Sequence, residues 1–334
     1  MNVLGLDIGG ANLKAAHSDG TARLVPLALW KYSTHLAQEL RRLIATLQRF
    51  DRLAVTMTGE LCDCYACKAQ GVHLILLALE EAAPGLAIRV WRNDGRFVDL
   101  KTARQTPLEV ASANWLALAT YAGRFVPHGA ALLLDIGSTT TDIVPLLNGK
   151  PIPQGRTDPE RLRCNELVYT GVRRTPVCAL LGPRAAAELF ATTLDVYLVL
   201  ESIPQDVNDC NTADLQPATK AAAHVRLARM KCADLETSTE GERLELARLA
   251  KHFQKMQVAV AVTQVIREMP KLPETIIVAG SGEFIAPAII ETCVLTYPGL
   301  SSARRLSLGA MLGTEISQAG PAHALAVMAA ERAI

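Results

Sequence analysis

Short apolar runs alternate with helical patterns along the first half of the chain. The runs at 3–6 and 53–56 have the length of buried strands, and residues 34–50 carry apolar side chains at the spacing of an amphipathic helix. A further apolar run at 13–17 follows the first after a glycine turn, which predicts a β-hairpin. Alternating strands and helices are typical of a mostly parallel α/β sheet, here with an antiparallel hairpin at its edge.

One motif occurs twice, each time directly after an apolar run. Its copies are Asp-Ile-Gly-Gly-Ala-Asn-Leu-Lys at 7–14 and Asp-Ile-Gly-Ser-Thr-Thr-Thr-Asp at 135–142. Glycines let backbone N–H groups close on an anion, so each copy predicts a phosphate-binding turn. A late strand at 275–279 also ends in a glycine turn. One such motif alone is more typical of an ordinary tight hairpin, but the three in this order resemble the actin-like ATPase and sugar-kinase superfamily.

This order of elements predicts two duplicated ribonuclease H-like domains with a cleft between them. We expect the first at 1–128 and the second at 129–320. Residues from about 148 to 255 do not follow the strand–helix alternation, so we expect an insert in the second domain that caps the cleft. A final helix at about 321–334 is expected to pack back on the first domain.

The glycine turns and the insert supply the candidate ligand-binding residues. Lys14 would neutralise a phosphate as a point charge, and two arginines in insert loops would clamp a diphosphate through their guanidinium groups. The expected phosphate-binding residues are Gly9, Gly10, Asn12, Lys14, Gly137, Ser138, Thr139, Thr140, Thr141, Arg156, Arg174, Gly280, Ser281 and Gly282.

Three acids are candidates for the chemistry. Asp7 and Asp135 end equivalent strands, so we expect them to face each other across the cleft and to hold a hydrated Mg²⁺, which takes few protein ligands. The alternative is that each carboxylate only bonds backbone N–H groups of its own turn. Asp142 is a candidate metal ligand or base. His224, on a charged helical stretch, is a further candidate base because its imidazole titrates near neutral pH.

Composition excludes several classes of partner. The 334-residue chain is 50% apolar and 20% charged with a net charge of +1, so we expect a compact protein that binds no nucleic acid and no membrane. No apolar run reaches the roughly 20 residues of a membrane span, and the first strand begins without a leader pattern. We therefore expect a cytoplasmic protein with small-molecule partners. Whether it forms a homo-oligomer stays open.

Three of the eight cysteines lie close together, at Cys62, Cys64 and Cys67. A structural zinc site needs four ligands, and no second cysteine pair or paired histidine follows at a useful spacing. We therefore favour the alternative, a polar helix start after Thr58-Gly59-Glu60.

Several segments resemble the hydantoinase/oxoprolinase-like proteins, in particular the branch linked to tetrahydromethanopterin-dependent C1 transfer. The resemblance covers nearly the whole chain, and its most specific parts are 135–145 and 166–176. The segments are the two phosphate motifs, MTGELCDC at 57–64, NDG at 93–95, ANW at 113–115, QGRTD at 154–158 with the RL that follows, ELVYTGVRRTP at 166–176 and PATKAAAHVRLARM at 217–230.

The resemblance implies an alkyl transfer. An aminomethyl-furanmethanol diphosphate loses pyrophosphate while the phenol oxygen of tyramine or γ-glutamyltyramine attacks the furfuryl carbon, in the biosynthesis of a methanofuran-type C1 carrier. The phosphate motifs would then hold a leaving group whose charge Mg²⁺, Lys14 and arginines neutralise. Two alternatives stay open: an ATP-dependent small-molecule kinase of the same fold, and a non-catalytic nucleotide-binding protein.

Overall fold

The computed structural model describes residues 2–332 and contains two six-stranded sheets. The strands are β1 (Val3–Ile8), β2 (Asn12–His17), β3 (Ala22–Pro26), β4 (Arg52–Met57), β5 (Ala87–Trp91), β6 (Phe97–Val98), β7 (Ala130–Ile136), β8 (Thr141–Leu147), β9 (Lys150–Pro151), β10 (Leu167–Val168), β11 (Thr275–Ala279) and β12 (Arg304–Ser307).

Helices connect and cover these strands. They are α1 (Leu29–Tyr32), α2 (Leu36–Ala45), α3 (Lys68–Ala82), α4 (Leu100–Gln105), α5 (Pro107–Val110), α6 (Asn114–Ala122), α7 (Asp158–Arg163), α8 (Val177–Leu181), α9 (Thr193–Val199), α10 (Lys220–Arg229), α11 (Glu240–Glu268), α12 (Ala286–Val294), α13 (Leu308–Leu312), α14 (Thr314–Gln318) and α15 (Gly320–Glu331). In the part of the chain that the structure describes, no helix is long and apolar enough to cross a membrane.

The first sheet has the order β3-β2-β1-β4-β5-β6. Its centre is parallel, because β4 pairs in parallel with both β1 and β5, and the hairpin β1–β2 adds the antiparallel edge that the sequence predicts. Parallel neighbours bring their carboxyl ends to one edge of the sheet. The first glycine turn, which follows β1, and the segment that follows β4 therefore meet at that edge.

Both faces of the first sheet are covered. On one face, leucines, isoleucines and valines of β1 and β4 form a buried cluster with α2 and α3. On the other face, α15 lies against β1 and α6 so closely that a Cβ built on Gly5 would come within 1.9 Å of the Ala322 carbonyl oxygen. Only glycine permits this approach of helix to strand.

The second sheet has the order β10-β8-β7-β11-β12, and β9 pairs with β8. The second phosphate motif forms the connection between β7 and β8, as the first does between β1 and β2. The α/β fold class with one glycine turn in each sheet is therefore confirmed.

The chain divides into two compact units whose boundaries differ from those expected from the sequence. The first unit takes in residues up to Leu133, together with Val144–Arg161 and the residues from Leu306 onward, and the second takes in Leu134–Ile143 and Leu162–Arg305. Residues 144–161 join the first unit because their turn docks on it: a Cβ on Gly123 would lie 2.1 Å from the Gly149 carbonyl oxygen. The sequence alone does not reveal this approach of two backbones.

Some predicted elements shift at their ends. The helix expected within 34–50 is confined to α2, and the last helix ends at Glu331, so positions 333–334 of that prediction lie outside the described residues. Strands β3 and β12 have no clear signal in the sequence, because charged residues interrupt their apolar pattern. Their formation depends on pairing with neighbouring strands rather than on local periodicity.

We expect Gly5→Ala to destabilise the first unit by about 3 kcal/mol, because the added methyl group forces α15 away from β1. The measurement is the midpoint of urea unfolding. Gly241→Ala is the matched control, since the nearest atom to a Cβ there lies 3.9 Å away and alanine favours the helix. Equal midpoints for the two variants would contradict the packing described.

Candidate functional site

The first glycine turn places a carboxylate and an ammonium group side by side. Asp7 and Lys14 are directly paired across the β1–β2 hairpin, and Lys14 Nζ lies 3.6 Å from Asp7 Oδ2. The Asp7 side chain is 2% exposed and that of Lys14 is 26% exposed. The turn is closed by a hydrogen bond of 3.0 Å from Gly9 N to the Asn12 carbonyl oxygen. The ammonium group therefore offsets the charge of the buried carboxylate and still reaches solvent.

The segment after β4 supports this turn from behind. The backbone N–H groups of Thr58 and Gly59 donate to the Ile8 carbonyl oxygen at 2.9 and 3.0 Å. A Cβ on Gly59 would lie 3.2 Å from the Gly9 carbonyl carbon, and one on Gly10 would lie 2.7 Å from Cys62 Sγ. The first turn is thus fixed by contacts that only small residues allow.

The second turn carries the hydroxyl groups. Gly137 N donates to the Thr140 carbonyl oxygen at 2.9 Å, and Ser138, Thr139 and Thr140 are half-buried. Thr141 differs, because its buried hydroxyl donates to the Thr170 carbonyl oxygen at 2.8 Å and so holds β8 to the next loop.

The loop at 170–175 wraps the second turn. Val172 N donates to the Gly137 carbonyl oxygen at 3.0 Å, and Arg174 N donates to the Ser138 carbonyl oxygen at 2.9 Å. A Cβ on Gly171 would lie 2.5 Å from backbone atoms of Ser138 and Thr139. Arg174 is therefore anchored at the turn through its backbone.

A buried glutamine fixes this loop in turn. Gln254, in α11, is 1% exposed and donates to Thr170 Oγ1 at 2.9 Å and to the Gly171 carbonyl oxygen at 2.7 Å. Tyr197 donates its hydroxyl to Gln254 Oε1 at 2.6 Å, and burial raises the pKa of that phenol. Sequence reasoning missed Gln254, because a glutamine within a charged helix carries no signal of burial.

The late glycine turn also touches the second motif. Gly280 has a φ of +89°, and a Cβ there would lie 2.5 Å from Asp135 Oδ1. Gly282 N donates to the Ile136 carbonyl oxygen at 2.8 Å. The structure thus brings 135–142, 170–175 and 280–282 together within the second unit, with the half-buried Asp135 at their junction.

Two candidate residues lie apart from these turns. Arg156 is exposed and belongs to the first unit, where its backbone N–H donates to Glu160 Oε2 at 2.9 Å, whereas Arg174 belongs to the second. Asp142 is 8% exposed and lies opposite Leu167 in the pairing of β8 with β10. Their ligand-binding roles stay predictions.

A polar cluster in the first unit joins residues of two of the segments that carry the family resemblance, 57–64 and 154–158, with Ser112 directly before a third. Ser112 Oγ donates to Glu60 Oε1 at 2.6 Å, and Lys68 Nζ lies 4.0 Å from Glu60 Oε1 and 3.2 Å from Asp158 Oδ2. Glu60 is fully buried, and burial raises the pKa of its carboxyl group. Sequence reasoning singled out these segments but did not identify the cluster.

The cysteine segment forms turns before α3, with Cys67 as the residue that precedes the helix. Cys64 Sγ lies 3.7 Å from the Leu29 carbonyl oxygen. Among residues 2–332, no three His, Cys, Asp or Glu side chains form a group that could hold a metal ion. His224 packs beside Arg243 in the second unit, where burial and this cation lower the pKa of its imidazole.

Two curated proteins are similar in sequence to this chain. Both are named (4-{4-[2-(γ-L-glutamylamino)ethyl]phenoxymethyl}furan-2-yl)methanamine synthase. The protein of Methanocaldococcus jannaschii is 33% identical over 256 residues, which cover 73% of this chain and 76% of that protein. The protein of Methanococcus vannielii is 29% identical over 206 residues, which cover 59% of this chain and 89% of that protein.

Two solved structures share the fold at low sequence identity. A nucleotide-free structure of acetone carboxylase has a TM-score of 0.54 at 10% identity and covers 97% of this chain and 70% of that one. A candidate N-acetylmannosamine kinase from Listeria monocytogenes has a TM-score of 0.51 at 15% identity and covers 99% of this chain and 100% of that one. Residues 51–297 match the hydantoinase/oxoprolinase family, and together with the sequence relatives this match shows that the chain belongs to that family.

Proposed function

We propose that this protein is a synthase that joins an aminomethyl-furanmethanol diphosphate to the phenol oxygen of γ-glutamyltyramine or tyramine and releases pyrophosphate. The observation that carries the proposal is the 33% identity to a synthase whose name describes a phenoxymethyl-furan ether as its product. Such an ether has one oxygen between a phenol ring and a furfuryl carbon. Attack of the phenol on a furfuryl diphosphate forms that bond directly.

The two turns suit the departure of a diphosphate. Backbone N–H groups, the partly exposed ammonium of Lys14 and the hydroxyls of Ser138, Thr139 and Thr140 are groups that stabilise developing negative charge on oxygen. A furfuryl carbon tolerates developing positive charge because its ring donates electrons. Neutralising the leaving group is therefore the main demand on the protein, and no hydroxyl has to be activated for attack at phosphorus.

Mg²⁺ fits the donor atoms of both motifs. Asp7 and Asp135 are each the penultimate residue of a strand that leads into a glycine turn, and they offer carboxylate oxygens, the ligand type that Mg²⁺ prefers. We propose these two residues as its ligands, with water in the other positions. When bound, the ion would neutralise charge on the diphosphate oxygens.

We expect ether formation with release of pyrophosphate when a furfuryl diphosphate bearing an aminomethyl group is supplied with γ-glutamyltyramine. The measurement is pyrophosphate release coupled to detection of the ether by mass spectrometry. ATP supplied with the same phenol or with the furanmethanol should yield negligible phosphate. ATP turnover that depends on a hydroxyl substrate, with no ether formed, would replace the proposal by the kinase alternative.

We expect Asp7→Asn and Asp135→Asn each to lower turnover about 100-fold, because each removes a charge that holds Mg²⁺ at the leaving group. The measurement is ether formation across a series of Mg²⁺ concentrations. Asp99→Asn is the control, since asparagine keeps the cap on Thr102 N at the start of α4. A variant of Asp7 or Asp135 with undiminished turnover would remove that residue from the metal site.

We expect Arg156→Ala and Arg174→Ala each to weaken inhibition by pyrophosphate about tenfold, the effect of one lost charge-assisted hydrogen bond. Arg163→Ala is the matched control, because Arg163 is exposed at the end of α7. If only Arg174→Ala weakens inhibition, Arg156 does not bind the diphosphate. If neither variant does, the guanidinium clamp is wrong.

A further inference from the structure

The shortest link within the polar cluster of the first unit is between a hydroxyl and a buried carboxylate. Ser112 Oγ donates to Glu60 Oε1 at 2.6 Å. Glu60 is fully buried, and its second oxygen, Oε2, has no hydrogen-bond partner among the described residues. A carboxylate with an unsatisfied oxygen inside a protein is costly, which points to a use other than stability.

Ser112 sits where a substrate can reach it. Its side chain is half-buried, and its φ of +48° is a left-handed conformation that costs a non-glycine residue free energy. Strain of this kind is concentrated at functional sites. The serine hydroxyl therefore connects the surface to the buried carboxylate of Glu60.

Strand pairing places Ser112 on the same edge as the first glycine turn. Ile8 pairs with Met57, and Met57 forms a parallel bridge with Ala111. The residues that follow this row are Gly9, Thr58 and Ser112. Two strand spacings separate Gly9 from Ser112, roughly 10 Å. A diphosphate held at the turn and a phenol held at the serine would therefore flank the same furfuryl carbon, one as leaving group and the other as nucleophile.

We propose that Ser112 and Glu60 form a proton relay that takes the proton of the acceptor phenol. The proposal rests on the proposed function, whose base the sequence left unidentified. Of the candidate residues, Asp7 is paired with Lys14, and His224 is held beside Arg243 in the second unit. Asp142 also belongs to the second unit, where it lies opposite Leu167 in the pairing of β8 with β10.

Each proton and electron pair in this step has a defined destination. The phenol O–H gives its proton to Ser112 Oγ while the serine proton passes to Glu60 Oε1. The phenol oxygen forms the bond to the furfuryl carbon as the carbon–oxygen bond to the diphosphate breaks, and that electron pair leaves with pyrophosphate. Glu60 later returns its proton to water through Ser112, which restores the starting state.

The groups around Glu60 favour its role as a proton acceptor. Burial raises the pKa of its carboxyl group, and Ser112, its own backbone and, more weakly, the nearby Lys68 ammonium oppose that rise. The carboxylate of Asp158, which forms an ion pair with Lys68, raises the pKa of Glu60 further. A carboxylate with a raised pKa accepts a proton more readily than an ordinary one. Because only the ionised form accepts a proton, turnover should fall as the pH drops through this raised pKa.

The test compares acceptors whose phenols differ in acidity. We expect Glu60→Gln to lower ether formation from tyramine about 100-fold and to remove the fall of activity at low pH. A fluorinated tyramine that is already ionised at the assay pH needs no base, so the variant should use it at nearly the wild-type rate. A purely structural role of Glu60 would not produce this rescue.

Ser112→Gly keeps the test valid if Glu60→Gln folds poorly. Glycine adopts a positive φ freely, so this variant should unfold at the same temperature as the wild type or higher and still show the loss with tyramine. Glu80→Gln is the control, since Glu80 pairs with Arg104 elsewhere in the first unit.

The outcomes distinguish a failure of the relay from a failure of the proposed function. A wild-type protein that forms no ether with either acceptor overturns the proposed function and the relay with it. An active wild type whose folded Glu60→Gln and Ser112→Gly variants lose nothing with tyramine overturns the relay alone. Equal losses with both acceptors would show a structural role and would also overturn it.

Discussion

Each glycine turn depends on a second backbone segment that packs closely against it at a glycine. In the first unit that segment includes Gly59, whose Cβ would lie 3.2 Å from Gly9. In the second it includes Gly171, whose Cβ would lie 2.5 Å from Ser138. Backbone held at this distance cannot rearrange without breaking hydrogen bonds. The turns are therefore rigid before any ligand arrives, and stabilising developing charge requires such preorganisation.

The rest of each unit maintains this contact. In the first unit, Gly71 lets α3 lie directly on the Glu60 backbone, since a Cβ there would come within 2.1 Å of the Glu60 carbonyl oxygen. In the second, the buried amide of Gln254 donates hydrogen bonds to the loop that covers the turn, and its oxygen accepts a hydrogen bond from the hydroxyl of Tyr197. A buried amide costs free energy unless its hydrogen bonds are satisfied. The hydrogen bonds of Gln254 therefore tie the long helix α11 to the loop that covers the turn.

The sequence predicts the architecture because its signals are local. Apolar runs and glycine turns suffice to place β1, β4, β7 and β11 within two residues of their observed ends. The same local signals identify the two phosphate motifs. They also locate the segment around Glu60, although not its role.

What the sequence could not predict depends on contacts between distant segments. Ser112 and Glu60 are 52 positions apart, and no pattern links them until Met57 and Ala111 are seen to pair. The hydroxyl of Thr141, expected at an anion, bonds the Thr170 carbonyl oxygen because β10 lies beside β8. Burial and register decide such roles, and neither is a property of a single segment.

The central claim is that the two motifs hold a diphosphate that leaves whole, with cleavage at carbon. A donor carrying ¹⁸O in the oxygen that joins the furfuryl carbon to phosphorus tests this most directly. After turnover with the phenol acceptor, mass spectrometry should find the label in pyrophosphate. Label retained on the furan, as its alcohol, would mean cleavage at phosphorus and would contradict the account.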